Sequence, residues 1–443
     1  FGLCRTVLPP EISTMETIRN KLKDASVQGL LLILAFVTAF AAILIVSAQP
    51  VVLTLGVFAG SAWDVPSPES QKLIDQAVQY FEEQNPGIRV KYQSGIQDSD
   101  YSLWLTDQAA LGNLPDVFMI LPDDFSLLAS TNALLNLNTC LQEDQALSKD
   151  DFYPIAFQTG QYEKNCYALP FESNPELMFA NTTILDEHQI PLKKDGWSLD
   201  EFYEICRKVS SDDSGSHAPI ANYSWLDAVN AWQCHVFNEG KKSVNLTQDP
   251  FRQAFSYARS INSMLDDFAL EEQSFDDGKT AFSTMTVAQY RTYKPYPWRI
   301  KRLSAFDWEA VPMPGSAQGG YISCQSLLMG ISAHTLYKEA SWKLLKCFCA
   351  DKKIQESIYD YSQGVSVLKN AEIMEDADSG LDNALLSKVM HSQNENADLQ
   401  LQNTAMEQLS SRLEAMMHSE EDTDLALMNV QDQVNLYLSG QIQ

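Results

Sequence analysis

The sequence predicts an α/β fold, and three observations carry that prediction. Apolar, β-branched segments alternate with amphipathic helical segments from Val51 onward, which is typical of a parallel or mixed sheet covered by helices. Turn residues such as Asn85–Gly87 separate the segments. About 395 residues follow Ala48, which is more than one hydrophobic core usually serves, so we expect two lobes.

An apolar run of seventeen residues, Leu30–Val46, precedes this region. Basic residues lie ahead of the run, and Val46-Ser47-Ala48 offers the small residues of a cleavage site, so the rest of the chain is expected outside the cytoplasm. As a helix the run would rise roughly 25 Å, slightly less than a ~30 Å hydrocarbon core. Residues 1–48 are therefore predicted to be either a cleaved signal peptide or a retained signal anchor.

The first segments after this run predict two successive strand and helix units. Val51–Phe58 is an apolar strand, and Ser70–Gln84 is a helix because its apolar residues recur at helical spacing. Ile88–Tyr92 is the second strand. A helix at Tyr101–Leu111 then leads into a short strand at Asp116–Leu121.

The order of segments changes after Tyr167. An extended segment there precedes a predicted strand at Glu176–Ala180, and Ser198 with Glu201 forms an S-x-x-E capping box for a helix through Val209. The remaining predictions are an aromatic-rich helical stretch at Tyr223–Phe237, helices at Pro250–Asp267, Val287–Tyr293, Tyr337–Asp351 and Ile354–Tyr361, strands at Trp308–Val311 and Ser326–Ser332, and an acidic helical tail.

Charge, cysteine content and missing motifs exclude several classes of function. The formal net charge is −27, which repels phosphate backbones, so we expect neither nucleic acid nor an anionic membrane surface as a partner. The cysteines after the apolar run form no close C-x-x-C pairs, which argues against a zinc module; a Cys140–Cys166 bridge and buried free thiols both stay open. Common catalytic motifs are missing, and we expect no metal and no cofactor.

Aromatic residues near predicted loops are the best candidates for ligand contact. Sugar rings stack their C–H faces on Trp and Tyr, whereas their hydroxyls need polar partners. Trp63 comes directly after the first strand, where parallel α/β sheets place ligands. Core packing is the alternative for each such residue. If Trp63 contacts a solute, Trp63→Ala should weaken affinity by roughly 1–3 kcal/mol without a comparable loss of thermal stability.

Taken in order, several segments resemble the extracellular solute-binding proteins of ABC importers, specifically the sugar-binding family typified by maltose-binding protein. The resemblance runs from about Val51 to about Leu368. The segments that carry it are TLGVFAGSAWDVPSPESQKLIDQAVQYFEEQNPGIRVKY, LPDVFMI, YALPFES with LMFANTTILDEHQIP, GWSLDEF, FDDGKTAF, VPMPG with GGYISCQSLLMGIS, and KEASWKLLKCF.

This resemblance implies a type II periplasmic-binding fold, in which two α/β lobes are joined by a hinge of three crossings and close on a ligand. Lobe 1 would comprise residues 49–171 and 313–363, and lobe 2 residues 172–312 and 364–443. The crossings would lie near Phe171–Ser173, Pro312–Pro314 and Ser362–Val365.

The resemblance also implies which residues line the cleft between the lobes. By matching position these are Ser61, Trp63, Asp123, Glu172, Tyr223, Trp225, Trp232, Met285 and Tyr321. Met285 stands where many sugar binders have a stacking aromatic, which favours a small sugar over a long oligosaccharide. Gln49 stands where a lipid-modified cysteine would be, so tethering by lipid is not supported.

The function implied by the resemblance is binding without covalent chemistry. We expect a monomeric, extracytoplasmic component of an ABC importer that captures a sugar or sugar-like solute and delivers it to the permease subunits. Two alternatives stay open. One is a secreted carbohydrate hydrolase that uses paired carboxylates, and the other is a binding protein that feeds a sensor receptor.

Overall fold

The computed structural model describes most of the chain after Gln49. The described residues are 50–63, 65–67, 69–93, 95–211, 217–238, 243–266, 268, 274–292, 306–315, 322–371, 381, 383–392, 403–419 and 421–439. The predicted signal or anchor segment and Tyr321 lie outside them. Within these ranges, no helix combines the length and the apolarity needed to cross a membrane.

The chain divides into two units by its internal contacts. They are residues 1–52 with 85–89, and residues 53–84 with 90–443. In the described part of the smaller unit, the Val51 N–H donates to the Gly87 carbonyl at 2.9 Å. The larger unit contains every residue of the site described below. The lobe boundaries implied by the resemblance stay a prediction.

The first part of the fold follows the predicted alternation of strands and helices. Its elements are β1 (Val51–Gly56), α1 (Ser70–Gln84), β2 (Ile88–Tyr92), α2 (Asp98–Ala110) and β3 (Val117–Ile120). The predicted bounds of α1 and β2 are confirmed residue for residue. β1 and β3 pair in parallel, with Leu55 opposite Val117, so the loops that follow both strands leave the same edge of the sheet.

A series of short elements leads from β3 to the long central strand. They are 3₁₀ turns at Pro122–Asp124 and Lys149–Asp151, helices α3 (Phe125–Ser130), α4 (Asn138–Glu143) and α5 (Pro154–Thr159), and strands β4 (Gln161–Tyr162), β5 (Asn165–Cys166) and β6 (Ala168–Asn181). β4 and β5 form a separate two-stranded sheet. Their connection needs Glu163 and Lys164 at φ 47° and 66°, as in a type I′ turn.

The next part contains the remaining strands. Its elements are α6 (Thr182–Glu187), α7 (Leu199–Ser210), β7 (Ala218–Ala221), α8 (Trp225–Ala231), α9 (Asp249–Asn262), a 3₁₀ turn at Ser263–Leu265, β8 (Thr280–Thr286), α10 (Val287–Arg291), β9 (Trp308–Val311) and β10 (Cys324–Ile331). The predicted capping box of α7 is confirmed, since Ser198 Oγ accepts from the Glu201 N–H and the Glu201 carboxylate accepts from the Ser198 N–H.

β6 is the strand that joins the two halves of the large sheet. The strand order is β2-β1-β3-β10-β6-β8-β7, with β9 also paired to β6. Residues Ala168–Pro175 of β6 pair with β10, whereas residues from Glu176 onward pair with β8 and β9. The sequence predicted an extended segment and a separate strand here. The structure corrects this, because one continuous strand of 14 residues changes its partners between Pro175 and Glu176.

The aromatic-rich stretch Tyr223–Phe237 is less helical than predicted. Only Trp225–Ala231 forms a helix, and the chain then turns at Gln233, whose φ is 55°. The Cys234 N–H donates back to the Val229 carbonyl at 3.1 Å and closes the helix end. Because this cap uses Gln rather than Gly, the usual sequence signal for a helix end is missing.

Helices complete the fold after β10. They are α11 (Lys338–Ala350), α12 (Lys352–Tyr361), α13 (Asn383–Met390), α14 (Asn403–Met417) and α15 (Thr423–Leu438). α14 packs against α8, α9 and α15. Gln431 of α15 accepts from the Leu246 N–H at 2.8 Å, and Asn435 accepts from the Val244 N–H at 2.7 Å. These side chains fix the acidic helical tail against the segment before α9.

Candidate functional site

The loop after β1 presents the first two predicted site residues. Ser61 and Trp63 lie at the carboxyl end of this strand and are 9% and 6% exposed. The Trp63 N–H donates to Ser61 Oγ at 3.1 Å, which stabilises the loop locally. The burial of Trp63 gives it a packing role, which was the alternative to ligand contact that the sequence left open.

Trp63 and Glu172, both predicted site residues, are in direct contact. The indole Nε1–H donates to Glu172 Oε1 at 2.7 Å, and Glu172 is 2% exposed in the middle of β6. Ser362 Oγ lies 2.7 Å from each carboxylate oxygen, and the Gly364 N–H donates to Oε1 at 2.5 Å. One buried carboxylate therefore joins the first loop, the central strand and the segment after α12.

A buried arginine completes this network. Arg291, at the end of α10, is 9% exposed and donates to the Gly364 carbonyl at 2.6 Å and to the Tyr359 carbonyl. Its guanidinium also lies 4.7 Å from the centre of the Tyr359 ring. Sequence reasoning missed Arg291, since nothing in the spacing of α10 relates it to residues some 70 positions away.

Burial and hydrogen bonding act in opposite directions on Glu172. Burial is the larger effect and raises the pKa of the Glu172 carboxyl above its usual value, while the hydrogen bonds from Ser362, Trp63 and Gly364 and the charge of Arg291 offset part of that shift. The Trp63 indole and the Gly364 N–H both donate to Oε1, so this oxygen is an acceptor. These donors and the Ser362 hydroxyl stabilise the ionised form of Glu172.

One small cavity lies next to Glu172. This cavity of about 20 Å³ is lined by Ser61, Phe171, Glu172, Leu327 and Ser362, among others, and this is room for about one water molecule. Two larger cavities, of about 320 and 310 Å³, lie elsewhere: one between α2 and α3, and one beside the ends of β1 and β2. Neither larger cavity is lined by a predicted site residue.

A second group of predicted residues lies around α8. The Tyr223 ring is 5% exposed and packs 6.3 Å from the ring of Tyr257, while the half-buried Trp232 ring lies 4.9 Å from the same Tyr257. Trp225 is 1% exposed and its Nε1–H donates to Ser410 of α14 at 3.4 Å. Trp225 thus packs in the core, and Tyr257 brings Tyr223 and Trp232 together.

Two carboxyl groups that sequence reasoning missed lie beside this group. Asp227 is buried in the first turn of α8, and the half-buried Glu176 on β6 hydrogen-bonds to it and to Thr284 and Ser323. Burial raises the pKa of Glu176 well above its usual value and that of Asp227 to about 6. Ser224 donates to Asp227 through its N–H at 2.7 Å. Asp227 is therefore the acceptor and Glu176 the protonated partner.

The remaining predicted residues lie on other elements. Asp123 is exposed on the 3₁₀ turn after β3, and Met285 is 6% exposed in β8, opposite Leu177 of β6. Tyr321 lies outside the described residues. Among the residues that the structure describes, no three His, Cys, Asp or Glu side chains come together as a metal site would require.

The described cysteines are free thiols. Cys140 and Cys347 are half-buried, and the other described cysteines are buried. Burial, with a smaller contribution from the neighbouring Cys140, raises the pKa of Cys166 to about 12. The structure therefore has free thiols at both positions of the bridge that the sequence left open.

The fold and the position of the contacts define a class of protein. A mixed sheet whose long central strand exchanges partners is the architecture of type II periplasmic-binding proteins. The family model described as bacterial extracellular solute-binding protein matches residues 66–353, and the chain belongs to this family. No curated protein sequence matches the chain.

Solved structures agree on the fold. The sugar-binding protein MalE from Xanthomonas citri has a TM-score of 0.72 at 15% identity, covering 88% of this chain and 98% of its own. A cyclic α-maltosyl-1,6-maltose binding protein from Arthrobacter globiformis has a TM-score of 0.69 at 15% identity, covering 88% and 100%. An ABC substrate-binding protein from Listeria monocytogenes in complex with cycloalternan has a TM-score of 0.63 at 17% identity, covering 88% and 100%. At these identities the likeness establishes the fold alone.

Proposed function

We propose that this chain captures a sugar or sugar-like solute outside the cytoplasm and delivers it to the permease of an ABC importer. Membership of the extracellular solute-binding family supports the capture of a solute. The sugar-binding proteins among its structural neighbours support the choice of a carbohydrate. The observation that carries the proposal is the Trp63 indole, held by the buried Glu172 at the carboxyl end of β1.

The proposed cleft residues are those assigned by the resemblance. They are Ser61, Trp63, Asp123, Glu172, Tyr223, Trp225, Trp232, Met285 and Tyr321. Trp63, on the loop after β1, and the half-buried Trp232 are the candidates for stacking on a sugar ring. Trp63, Tyr223 and Trp225 are each at most 6% exposed, so contact through any of them would need neighbouring segments to move.

We propose the same two lobes that the resemblance implies, namely residues 49–171 with 313–363 and residues 172–312 with 364–443. The exchange of strand partners within β6 supports a first crossing there. The backbone hydrogen bonds between Ser173 and Val365, at 3.0 and 2.8 Å, support a third crossing beside the first. Closure would then be a hinge motion at these adjacent segments.

A thermal-shift screen tests the proposal. Monosaccharides, disaccharides, polyols, peptides and phosphorylated sugars are compared, because a ligand that binds only the native state raises the melting temperature by mass action. At 100 times Kd the gain is about 2.7 kcal/mol. We expect a neutral sugar or polyol to raise the melting temperature in a concentration-dependent way. A shift with peptides alone, or with none of these solutes, would contradict the proposal.

We further propose that the chain alters no bond in its solute. A hydrolase needs two carboxyl groups roughly 5–10 Å apart on either side of a sugar. The carboxyl pair found here, Glu176 and Asp227, shares a hydrogen bond and leaves no such gap. Incubation with the sugar that binds, followed by chromatography, should return it unchanged. Cleavage that Glu176→Gln abolishes would favour the hydrolase instead.

The partners and location follow from the same proposal. The permease subunits would be the membrane partner, residues 1–48 would direct the chain outward as signal peptide or anchor, and the chain would act as a monomer. Light scattering of the purified protein tests the oligomeric state. Adjacent permease genes would favour import, and an adjacent receptor kinase would favour the sensing alternative.

A further inference from the structure

Arg291 and Glu172 are connected through the backbone of a single residue. The Gly364 N–H donates to Glu172 Oε1 at 2.5 Å, and the Gly364 carbonyl accepts from Arg291 at 2.6 Å. The two opposite charges are both buried, so little water screens the attraction between them. The position of one charged side chain therefore depends on that of the other.

The guanidinium is held in one orientation. A guanidinium has its donors in a rigid planar fork, and here two backbone carbonyls, those of Gly364 and Tyr359, accept from it. Helix α10, which carries Arg291, is itself fixed to β6, because the Ala288 N–H donates to Asn174 Oδ1 at 2.9 Å. The cation is thus part of a rigid support for the central strand.

Only glycine allows this contact at position 364. A Cβ on Gly364 would lie 2.3 Å from Glu172 Oε1 and 2.5 Å from its Cγ, closer than real Cβ atoms come. Any larger residue would displace the carboxylate and with it the acceptor of the Trp63 indole. The close approach of backbone and carboxylate is therefore specific to this glycine.

The charge of Arg291 also favours the ionised form of Glu172. Burial raises the pKa of Glu172, and the charge of Arg291 opposes that shift. An ionised carboxylate accepts from several donors at once, whereas a protonated one would have to donate. Removal of the cation would make the ionised form of Glu172 less favourable and would remove the donor that holds the Gly364 carbonyl.

We infer that Arg291 is a positioning residue for solute binding: through Gly364 it holds Glu172, and Glu172 holds the Trp63 indole in the orientation that meets the solute. This inference rests on the proposed function for its last step. Arg291 acts on the indole indirectly, through three hydrogen bonds: Arg291 to the Gly364 carbonyl, the Gly364 N–H to Glu172, and the Trp63 indole to Glu172.

The test measures the Trp63 indole as well as affinity. The chain has eight tryptophans, so the signal of Trp63 is obtained by difference. Trp63→Phe is made in the parent, in Arg291→Met and in Arg291→Lys. The fluorescence and acrylamide quenching of each protein with Trp63, minus those of the same protein carrying Trp63→Phe, report Trp63 alone. We expect the Trp63 signal of Arg291→Met to shift and to become more easily quenched, with partial recovery in Arg291→Lys. Affinity for the sugar with the largest thermal shift should fall about tenfold, as when a partner that orients a binding group is removed.

Controls separate positioning from stability. Arg207→Met makes the same chemical change at an exposed position and should leave the Trp63 signal unaltered. Gly364→Ala should reproduce the effect of Arg291→Met, while Gly87→Ala, whose added Cβ meets nothing within 4 Å, should not.

Four outcomes of this test are distinguished. An unchanged Trp63 signal in Arg291→Met overturns it, and so does a loss of stability that leaves both the Trp63 signal and the affinity intact. If Arg291→Met does not fold, Arg291→Lys decides by the same signal. If the parent binds no sugar, the proposed function fails, while the Trp63 signal still shows whether Arg291 positions the indole.

Discussion

Trp63 contributes to both stability and binding, and two substitutions separate these contributions. Its indole is 6% exposed and donates to a buried carboxylate at 2.7 Å. From sequence alone, Trp63→Ala is expected to weaken affinity without a comparable loss of stability. The structure changes that expectation, because truncating a buried Trp leaves a cavity and an unsatisfied acceptor.

The structure gives the size of each effect. Trp63→Ala should lower the free energy of unfolding by about 3–5 kcal/mol, as for other large aromatic truncations in a core. Trp63→Phe keeps most of the ring but removes the Nε1–H, and a hydrogen bond to a charged group is worth about 1.5–3 kcal/mol. Ser362 and Gly364 still donate to Glu172 in this variant, which favours the lower end of that range.

Urea unfolding and titration calorimetry measure the two contributions. The unfolding midpoint should fall in both variants at an unchanged m-value, and affinity for the sugar should fall by roughly 1–3 kcal/mol in Trp63→Ala. Trp104→Phe is the matched control, because Trp104 is half-buried and stacks on Tyr101 far along the chain from Glu172. A Trp63→Phe midpoint equal to that of the parent would refute the hydrogen bond to Glu172. An unaffected Kd in Trp63→Ala would remove Trp63 from the site.

Two further predictions concern the carboxyl pair and the helical tail. The pKa of Glu176 is raised in the folded state, so its contribution to stability is present below about pH 4.5 and is lost as pH rises toward the folded pKa. Glu176→Gln should therefore gain stability relative to the parent between pH 5 and pH 8, on the order of 1 kcal/mol, in thermal unfolding at several pH values; an equal pH dependence would contradict the buried pair. Gln431→Ala removes the acceptor for the Leu246 and Thr247 N–H groups and should cost about 1–2 kcal/mol in urea unfolding. The exposed Gln433→Ala should stay within about 0.5 kcal/mol, and equal costs for the two would mean that α15 is not held by Gln431.

Local signals were enough to predict much of the fold. α1 could be located residue for residue because its apolar positions recur at helical spacing and Asn85–Gly87 stops it. The capping box at Ser198 located the start of α7 in the same way. Both signals lie within a few residues of the boundary that they mark.

β6 shows what local signals cannot predict. Pro170 and Pro175 made the segment appear interrupted, since proline lacks the N–H that a strand interior normally uses. The strand nevertheless continues through both prolines, because it pairs with β10. That partner lies some 150 residues further along the chain. Pairing at that separation leaves no periodic trace in either segment.

The site residues also divide into those that local sequence signals or the resemblance indicate and those that depend on long-range contacts. Trp63 could be proposed from its place after the first strand, and Glu172 from the resemblance; the structure brings the two into contact. Arg291 and Gly364 could not be proposed, because their role depends on a buried backbone contact between distant segments. An arginine at a helix end and a glycine in a loop are, on sequence, unremarkable surface residues.

The saturation of Glu172 limits what it can offer a solute. A carboxylate has about four acceptor positions, and here Trp63, Ser362 and Gly364 occupy most of them, with Ser362 close to both oxygens. Glu172 can therefore accept at most a small share of the hydroxyls of a sugar. Its main effect on binding would be to fix the plane of the indole, so that the ring is already oriented when the solute arrives and less entropy is lost on stacking. Glu172→Gln keeps the shape of the side chain but places an amide N–H₂ against groups that donate. We therefore expect Glu172→Gln to weaken affinity because the Trp63 indole loses its orientation, and not because a contact to a sugar hydroxyl is lost.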